Sequence, residues 1–404
     1  MCVNKILKLS LVRFSLISLF FISINFISTI NAQIFEFNEE DYFSSEQEEE
    51  KEKEIEEKDT TTTNSADVSS ATNSEDTYDK ETCINNQIDS VLSSNGGMSS
   101  DSYSSDFHFI KKFDKDGNLI GSWGTMGSQD GQFLHAHGIT IDSQDNVYVS
   151  DAENCNIQKF DKDGKFITKW GTKGKGPGEF LQPESMAVDS LNNIYVAEYS
   201  GKNIQKFDND GNFIKMWGED GEKKGEFKKP WGIALDSRDN VYVSDQVLPR
   251  VQKFDSNGTF MDMWGKYGSK KGQFVHQHDI TVDSKDYLYV TDGRENSRIS
   301  VFDSKGKFIK HWGSEGKDEG QFIENHGIVV DSEGNVYVVD TRNVRVQKFD
   351  AEGNFLTMWG SLGCKDDQFL IPHDIAIDSE ENIYVTDSGK SHFRANYNCN
   401  QGSL

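Results

Sequence analysis

The chain has 404 residues, 35% hydrophobic and 12% aromatic, with 35 glycines, five prolines and a net charge of −25. That charge argues against a nucleic-acid-binding face or an anionic-membrane surface. The length allows one large domain or two small ones, and most of the chain lacks a helix-type composition.

Charge divides the chain into three: +3 over 1–32, −17 over 33–106 and −11 over 107–404, which sum to −25. Lys5, Lys8 and Arg13 precede the apolar run "FSLISLFFISINFISTI" (14–30), and Ala32 offers a small residue before a cut. Residues 1–32 thus have the layout of a secretory signal peptide. An uncleaved anchor is the competing reading, but the run is short for a membrane span and carries Ser and Asn. A secreted or extracytoplasmic protein without a stable membrane span is expected.

Residues 33–106 contain "EQEEEKEKEIEEK" (46–58) and then a Ser/Thr-rich stretch. So few apolar residues at such charge cannot offset the entropy of ordering, so a disordered acidic linker is expected. Binding of cations or of a basic partner is its functional alternative. Removing the signal leaves Cys83, Cys155, Cys364 and Cys399. No pair has CxxC spacing, which leaves zinc fingers and thioredoxin-type chemistry unsupported. In an exported protein Cys364 could join Cys399, but sequence does not fix the connectivity.

From 107 onward the chain is periodic. Trp-Gly recurs at Trp123, Trp170, Trp217, Trp264, Trp312 and Trp359, at steps of 47 residues with one of 48. Phenylalanine keeps the same beat at Phe133, Phe180, Phe227, Phe274, Phe322 and Phe369. Within one beat, "GITID", "NVYVSD", "IQKFD" and "KFITKW" alternate as strands, separated by Asp, Ser, Asn and Gly where tight turns need them. Four antiparallel strands per repeat make a propeller blade. The last beat has only its first two strands, "HDIAID" and "NIYVTD", and the first segment, "FHFIKKFDKDGNLIGSWG" (107–124), supplies the last two. The fold class is therefore all-β. One six-bladed β-propeller over 107–387 is closed by its N-terminal strands, with a tail at 388–404. A monomer is expected.

The unit "FKKPWGIALD" (227–236), completed by "NVYVSD", "RVQKFD" and "GTFMDMWG", resembles the NHL-repeat family of β-propellers. The resemblance covers about 280 residues. It implies the fold but no particular activity, since one fold hosts many activities. Tripartite-motif ubiquitin ligases carry this propeller behind zinc-binding modules whose cysteine pattern is absent here, so that function is not implied.

In such propellers the residue four after each repeated Phe faces the channel mouth on the top face. Around the ring these are His137, Glu184, Trp231, His278, His326 and His373. The residue two after the Phe points the same way: His135, Gln182, Lys229, His276, Glu324 and Ile371. Six of the nine histidines occupy these twelve positions. Glu184 and Trp231 show that the phrase does not need histidine for shape. Two readings follow. The imidazoles line a wet channel, or His137, Glu184, His278, His326 and His373 bind zinc or another transition metal. His278, His326, His373 and His137 take four consecutive ring positions with Glu184 next round, and Glu184, His278 and His373 form a set on alternate blades.

The phrases "IPHDIAID" (371–378) and "AHGITID" (136–142) are similar to those of peptidyl-hydroxyglycine amidating lyases, which are six-bladed propellers too. That resemblance implies a channel zinc on alternate-blade histidines and brings Asp279 and Asp374 into the candidate site. This chain departs from the pattern: one alternate set holds Glu184, the other Trp231. Arg294, in "DGRENSRI" (292–299), stands where the family has a tyrosine.

The favoured expectation is an exported binding scaffold. Its top face takes a protein, peptide, glycan or small-molecule ligand through Trp231, Arg250, Arg294, Arg342, Asp279 and Asp374. A metal-dependent lyase or hydrolase at the same mouth is the alternative. Trp231 would stack on a ligand or plug the mouth. Arg250, Arg294, Arg342 and Lys202 would complement acidic groups or merely be solvated. The acidic residues ending the second strands (Asp151, Glu198, Asp245, Asp292, Asp340, Asp387) read as structural, as does "DKDG", which lacks the further ligands of a calcium loop.

Overall fold

Alternating apolar residues and Asp/Gly turns fold each beat into a four-stranded antiparallel sheet. A computed structural model describes residues 109–388; the proposed signal, acidic linker and C-terminal tail lie outside the described residues. The first blade runs Ala136–Ile141, Val147–Asp151, Asn156–Phe160 and Phe166–Trp170 from the channel outward. The next four blades repeat it, with inner strands Pro183–Val188, Pro230–Leu235, Gln277–Val282 and Asn325–Val330. In the sixth, Pro372–Ile377 and Ile383–Asp387 are joined by Ile110–Phe113 and Leu119–Trp123. Ile110 pairs with Thr386 and Phe113 with Ile383, so the chain's two ends close the ring within one sheet. Among the described residues no helix is long and apolar enough to cross a membrane.

The beat residues hold neighbouring blades together. All six repeated phenylalanines are 0% exposed. Trp123, on the sixth blade, lies 6.1 Å from the Phe160 ring of the first blade and covers Gly164 in that blade's outer turn. A Cβ on Gly164 would come within 2.6 Å of the indole, and its φ of +81° already favours glycine. The "DKDG" segments are turns: Oδ1 of Asp114 accepts the N–H groups of Asp116 and Asn118.

Every inner strand carries a bulge at its channel-mouth end. Ala136 faces Asp151 and Ile139 faces Val149, so His137 and Gly138 together oppose Ser150. The same shift occurs between Gln277 and Ile280 and between Pro372 and Ile375. A bulge breaks the in–out alternation and re-aims side chains. Hydroxyls on the second strands lock it in four blades. Ser150 accepts the Gly138 N–H at 2.7 Å and donates to the Glu184 carbonyl at 2.8 Å. Thr386 accepts the Asp374 N–H at 2.9 Å and donates to the His137 carbonyl at 2.6 Å. Ser244 and Thr291 hold the equivalent backbone in the third and fourth blades.

Cys364 is disulfide-bonded, and Cys155 is a buried free thiol.

Candidate metal centre

The acidic residues ending the second strands position the mouth phrase from below. Asp151 accepts the N–H groups of Leu134 and His135, Asp292 those of Val275 and His276, and Asp387 those of Leu370 and Ile371. The same carboxylates also take side-chain donors, Asn154 on Asp151, Asn296 on Asp292 and Lys111 on Asp387.

Above them the imidazoles converge in two groups. His135, His137 and His373, from the first and sixth blades, offer donor atoms that all lie within 4.8 Å of one another. His278, Glu324 and His326, from the fourth and fifth, do the same. His137 Nδ1 also lies 2.6 Å from Glu184 Oε2. The pair is close enough for an ion pair, yet neither atom is placed to make a hydrogen bond. Glu184 is steered by Gln182, whose Nε2 donates to Oε1 at 2.7 Å while its own Oε1 accepts the Ser200 hydroxyl at 2.8 Å.

His278 Nδ1 lies 3.2 Å from the Asn325 carbonyl, a bond that fixes the proton on Nδ1 and leaves Nε2 as the lone-pair donor. His326 and His373 bring their Nδ1 atoms within 3.2 Å of each other, where the two groups meet. Trp231 lies among these rings, stacked on His278 at 5.2 Å and edge-on to His137 at 5.3 Å and His326 at 5.9 Å.

Burial sets the protonation states. It drives the His276 pKa down to about 3, helped by the Arg294 charge, and those of His278 and His373 well below the usual value, helped by neighbouring histidines. Burial lowers the His326 pKa too, against the pull of Glu324. These four imidazoles are neutral and able to ligate at pH 7. Burial pushes the Glu324 pKa up, but His326, Arg342 and Arg294 prevail and hold it at about 2.

The bulge turns the next residue of each inner strand into the channel as well. Ser185, Asp279 and Asp374 occupy alternate blades, and Gly138, Gly232 and Gly327 lie between them. Oδ1 of Asp279 accepts the Ser185 hydroxyl at 3.1 Å, and Oδ2 of Asp374 accepts the Ile139 N–H at 2.9 Å. Burial raises the pKa of both acids, Asp279 to about 6 and Asp374 further under the added charge of Asp279. Below lies a cavity of about 200 Å³, lined mainly by aliphatic side chains such as Ile139, Ile233, Ile280 and Ile328.

The sequence-predicted residues divide as follows. His137, Glu184, His278, His326, His373 and Trp231 gather at the mouth. His135 and Glu324 complete the two donor groups; the expected metal set omitted them, although they stand two residues after the repeated Phe. The alternate-blade set Glu184, His278 and His373 is not one of the groups whose donors converge. Asp279 and Asp374 sit one tier deeper, away from the top surface.

Arg294 lies beside the fourth-blade histidines in a left-handed conformation, φ 52°. Arg342 is exposed and ion-paired with Glu324. Lys202 pairs with Asp220 at 2.9 Å. Arg250 is not offered to a ligand: it is buried, and its guanidinium binds the carbonyls of Glu222 and Glu226. Arg298 and Arg345 clamp the matching loops of the fourth and fifth blades. That recurrence at one repeat position is the signal that marks Arg250 as structural.

Comparison with known proteins agrees with the architecture. The model of the family DUF5128, described as a 6-bladed beta-propeller, matches residues 143–217 and 271–359. No curated protein matches the sequence. A solved protein of unknown function from Bacteroides thetaiotaomicron is 16% identical over 69% of this chain and 76% of its own, with a TM-score of 0.52. A virginiamycin B lyase from Staphylococcus aureus is 14% identical, with 69% and 81% covered and a TM-score of 0.46. A gluconolactonase from Xanthomonas campestris is 14% identical, with 64% and 87% covered and a TM-score of 0.48. The protein is a six-bladed β-propeller, and at these identities the likeness to the first of the three is one of fold alone.

Proposed function

We propose that this is an exported, NHL-type binding propeller whose channel mouth holds a transition-metal ion and uses it to recognise a ligand at the top face. The observation that carries this reading is the convergence of imidazoles and carboxylates at the mouth, in groups whose donor atoms all lie within 4.8 Å. Neutral imidazole suits zinc, copper, nickel and iron. The residues therefore fit such an ion, which would offer a coordination position to a donor group of a peptide or small molecule. His278 would supply Nε2, with its orientation fixed by the Asn325 carbonyl. Trp231, packed against His278, would give the ligand an apolar surface.

The binding reading is preferred to amidating-lyase chemistry on one structural ground. The convergent donors come from adjacent blades, whereas the lyase resemblance implies an alternate-blade set.

The test is metal analysis of the purified, zinc-equilibrated chain against the double variant His278→Ala, His373→Ala. The expected result is bound zinc in the wild type and none in the variant. A wild type that holds no transition metal and melts identically with and without chelator overturns the proposal.

A further inference from the structure

We infer that the mouth is a two-ion centre, built as two half-sites that meet at His326 and His373, and that it takes an oxyanion between them. This rests on the metal-binding reading above and extends it from one ion to two.

The first argument is that the donor groups are disjoint. His135, His137 and His373 share no residue with His278, Glu324 and His326, and each group is separately within coordinating reach. A single ion has room for about four such ligands when tetrahedral. The mouth supplies six from these groups alone, and Glu184 adds a carboxylate oxygen 2.6 Å from His137 Nδ1.

The second argument is the partition. The Trp231 ring is stacked on His278 of one half-site and edge-on to His137 of the other. The indole therefore packs against both halves. The halves meet at His326 Nδ1 and His373 Nδ1, 3.2 Å apart. At that distance the two can hold one ion between them or each turn its lone pair to its own ion, and the zinc count below tells these apart.

The third argument is charge. Each half-site carries one carboxylate: Glu184 beside His137, and Glu324 beside His326. Two divalent cations against two carboxylates leave a net charge of about +2. Arg294 adds its positive charge alongside the fourth-blade histidines. Such a site favours a carboxylate or phosphate group that can lie across both ions, as anions do between paired metals.

The experiment is calorimetric titration of the full chain with Zn²⁺, followed by inorganic phosphate. The wild type is expected to take two equivalents. His135→Gln with His137→Gln should leave one, and His278→Gln with Glu324→Gln should leave one. Phosphate should bind the two-zinc wild type and lose at least tenfold in affinity in either half-site variant. Thermal melts of the metal-free variants within a few degrees of wild type show that the ring still folds. Glutamine, which keeps polarity and most of the volume, makes that outcome attainable. One equivalent in the wild type, abolished by either pair of substitutions, overturns the two-ion centre and leaves the metal-binding reading standing. No zinc uptake at all removes both. Two equivalents with equal phosphate affinity in all three proteins overturns the bridging oxyanion.

Discussion

The Lys111 ammonium lies 3.0 Å from Oδ2 of Asp387, and both side chains are 0% exposed. The pair joins the first described strand to the last, across the sheet that closes the ring, and Lys111 also donates to the Gln368 carbonyl. Removing one partner of a buried pair leaves an uncompensated charge and costs about 3–5 kcal/mol. Lys111→Ala should therefore lower Tm by roughly 10 °C, read by scanning calorimetry. Lys162→Ala, which breaks the exposed pair with Asp163, should change Tm by no more than a degree or so. Equal effects at the two sites would mean that closure does not depend on the buried pair.

The channel tier below the histidines depends on glycine in alternate blades. A Cβ on Gly327 would lie 2.7 Å from the Asp374 Cα and 2.8 Å from its Oδ1. The obstacle is backbone of an inner strand, which cannot swing aside. Gly327→Ala should cost about 1–3 kcal/mol by overpacking and displace Asp374. Gly121→Ala is the control: its Cβ would meet only the Lys112 Cβ, at 3.9 Å. Denaturant melts should show Gly121→Ala within about 0.5 kcal/mol of wild type. A tolerated Gly327→Ala would contradict the close packing of this tier.

The raised pKa values of Asp279 and Asp374 predict a pH dependence of definite sign. Burial raises both folded-state pKa values, that of Asp279 to about 6. The folded state then binds more protons than the unfolded state between pH 3.8 and about 6. The pair's contribution is fully present below the unfolded carboxyl pKa and is lost as pH rises through the folded value. Asp374→Asn replaces the protonated acid with a neutral group that needs no proton. The Tm difference, variant minus wild type, should thus be more positive at pH 8 than at pH 5, by the equivalent of about 1–3 kcal/mol. The buried histidines act in the opposite direction, but they are common to both proteins and cancel in the difference. Measured in chelator, a difference independent of pH would show that burial does not raise the Asp374 pKa.

The fold was legible because every level of the sequence agreed. The beat gave the blade, strand alternation gave its four elements, and the two half-repeats at the ends closed the ring. The mouth positions were legible too, since His137 and His278 stand at one fixed offset from a repeated Phe. Which side chains converge was not. Spacing alone left consecutive and alternate blades both open; a bulge at each inner strand turns two successive residues inward, and the donors that converge come from adjacent blades. Its trace in the sequence is the hydroxyl before the second-strand Asp: Ser150, Ser244, Thr291 and Thr386. Arg250 misled for a different reason. A guanidinium in a loop reads as surface charge until its repeat partners Arg298 and Arg345 are seen clamping the equivalent carbonyls of their own blades, Gln273 and Gln321.

Trp231 is the one tryptophan of seven that stands outside the 47-residue beat, and that makes the mouth observable. The other six lie on the outermost strands of their blades, away from the channel axis. Trp231 instead contacts His137, His278 and His326 directly. A Cu²⁺ ion held by those imidazoles would quench the emission of Trp231 and leave the other six bright. Titration with Cu²⁺ should remove the share of one tryptophan and then level off. Trp231→Phe should bind the ion with affinity within about tenfold of wild type, since Phe keeps an apolar ring in the partition, yet show no saturable quenching. Quenching that persists in Trp231→Phe would place the copper elsewhere on the molecule. Unquenched emission from a wild type shown by metal analysis to hold copper would do the same.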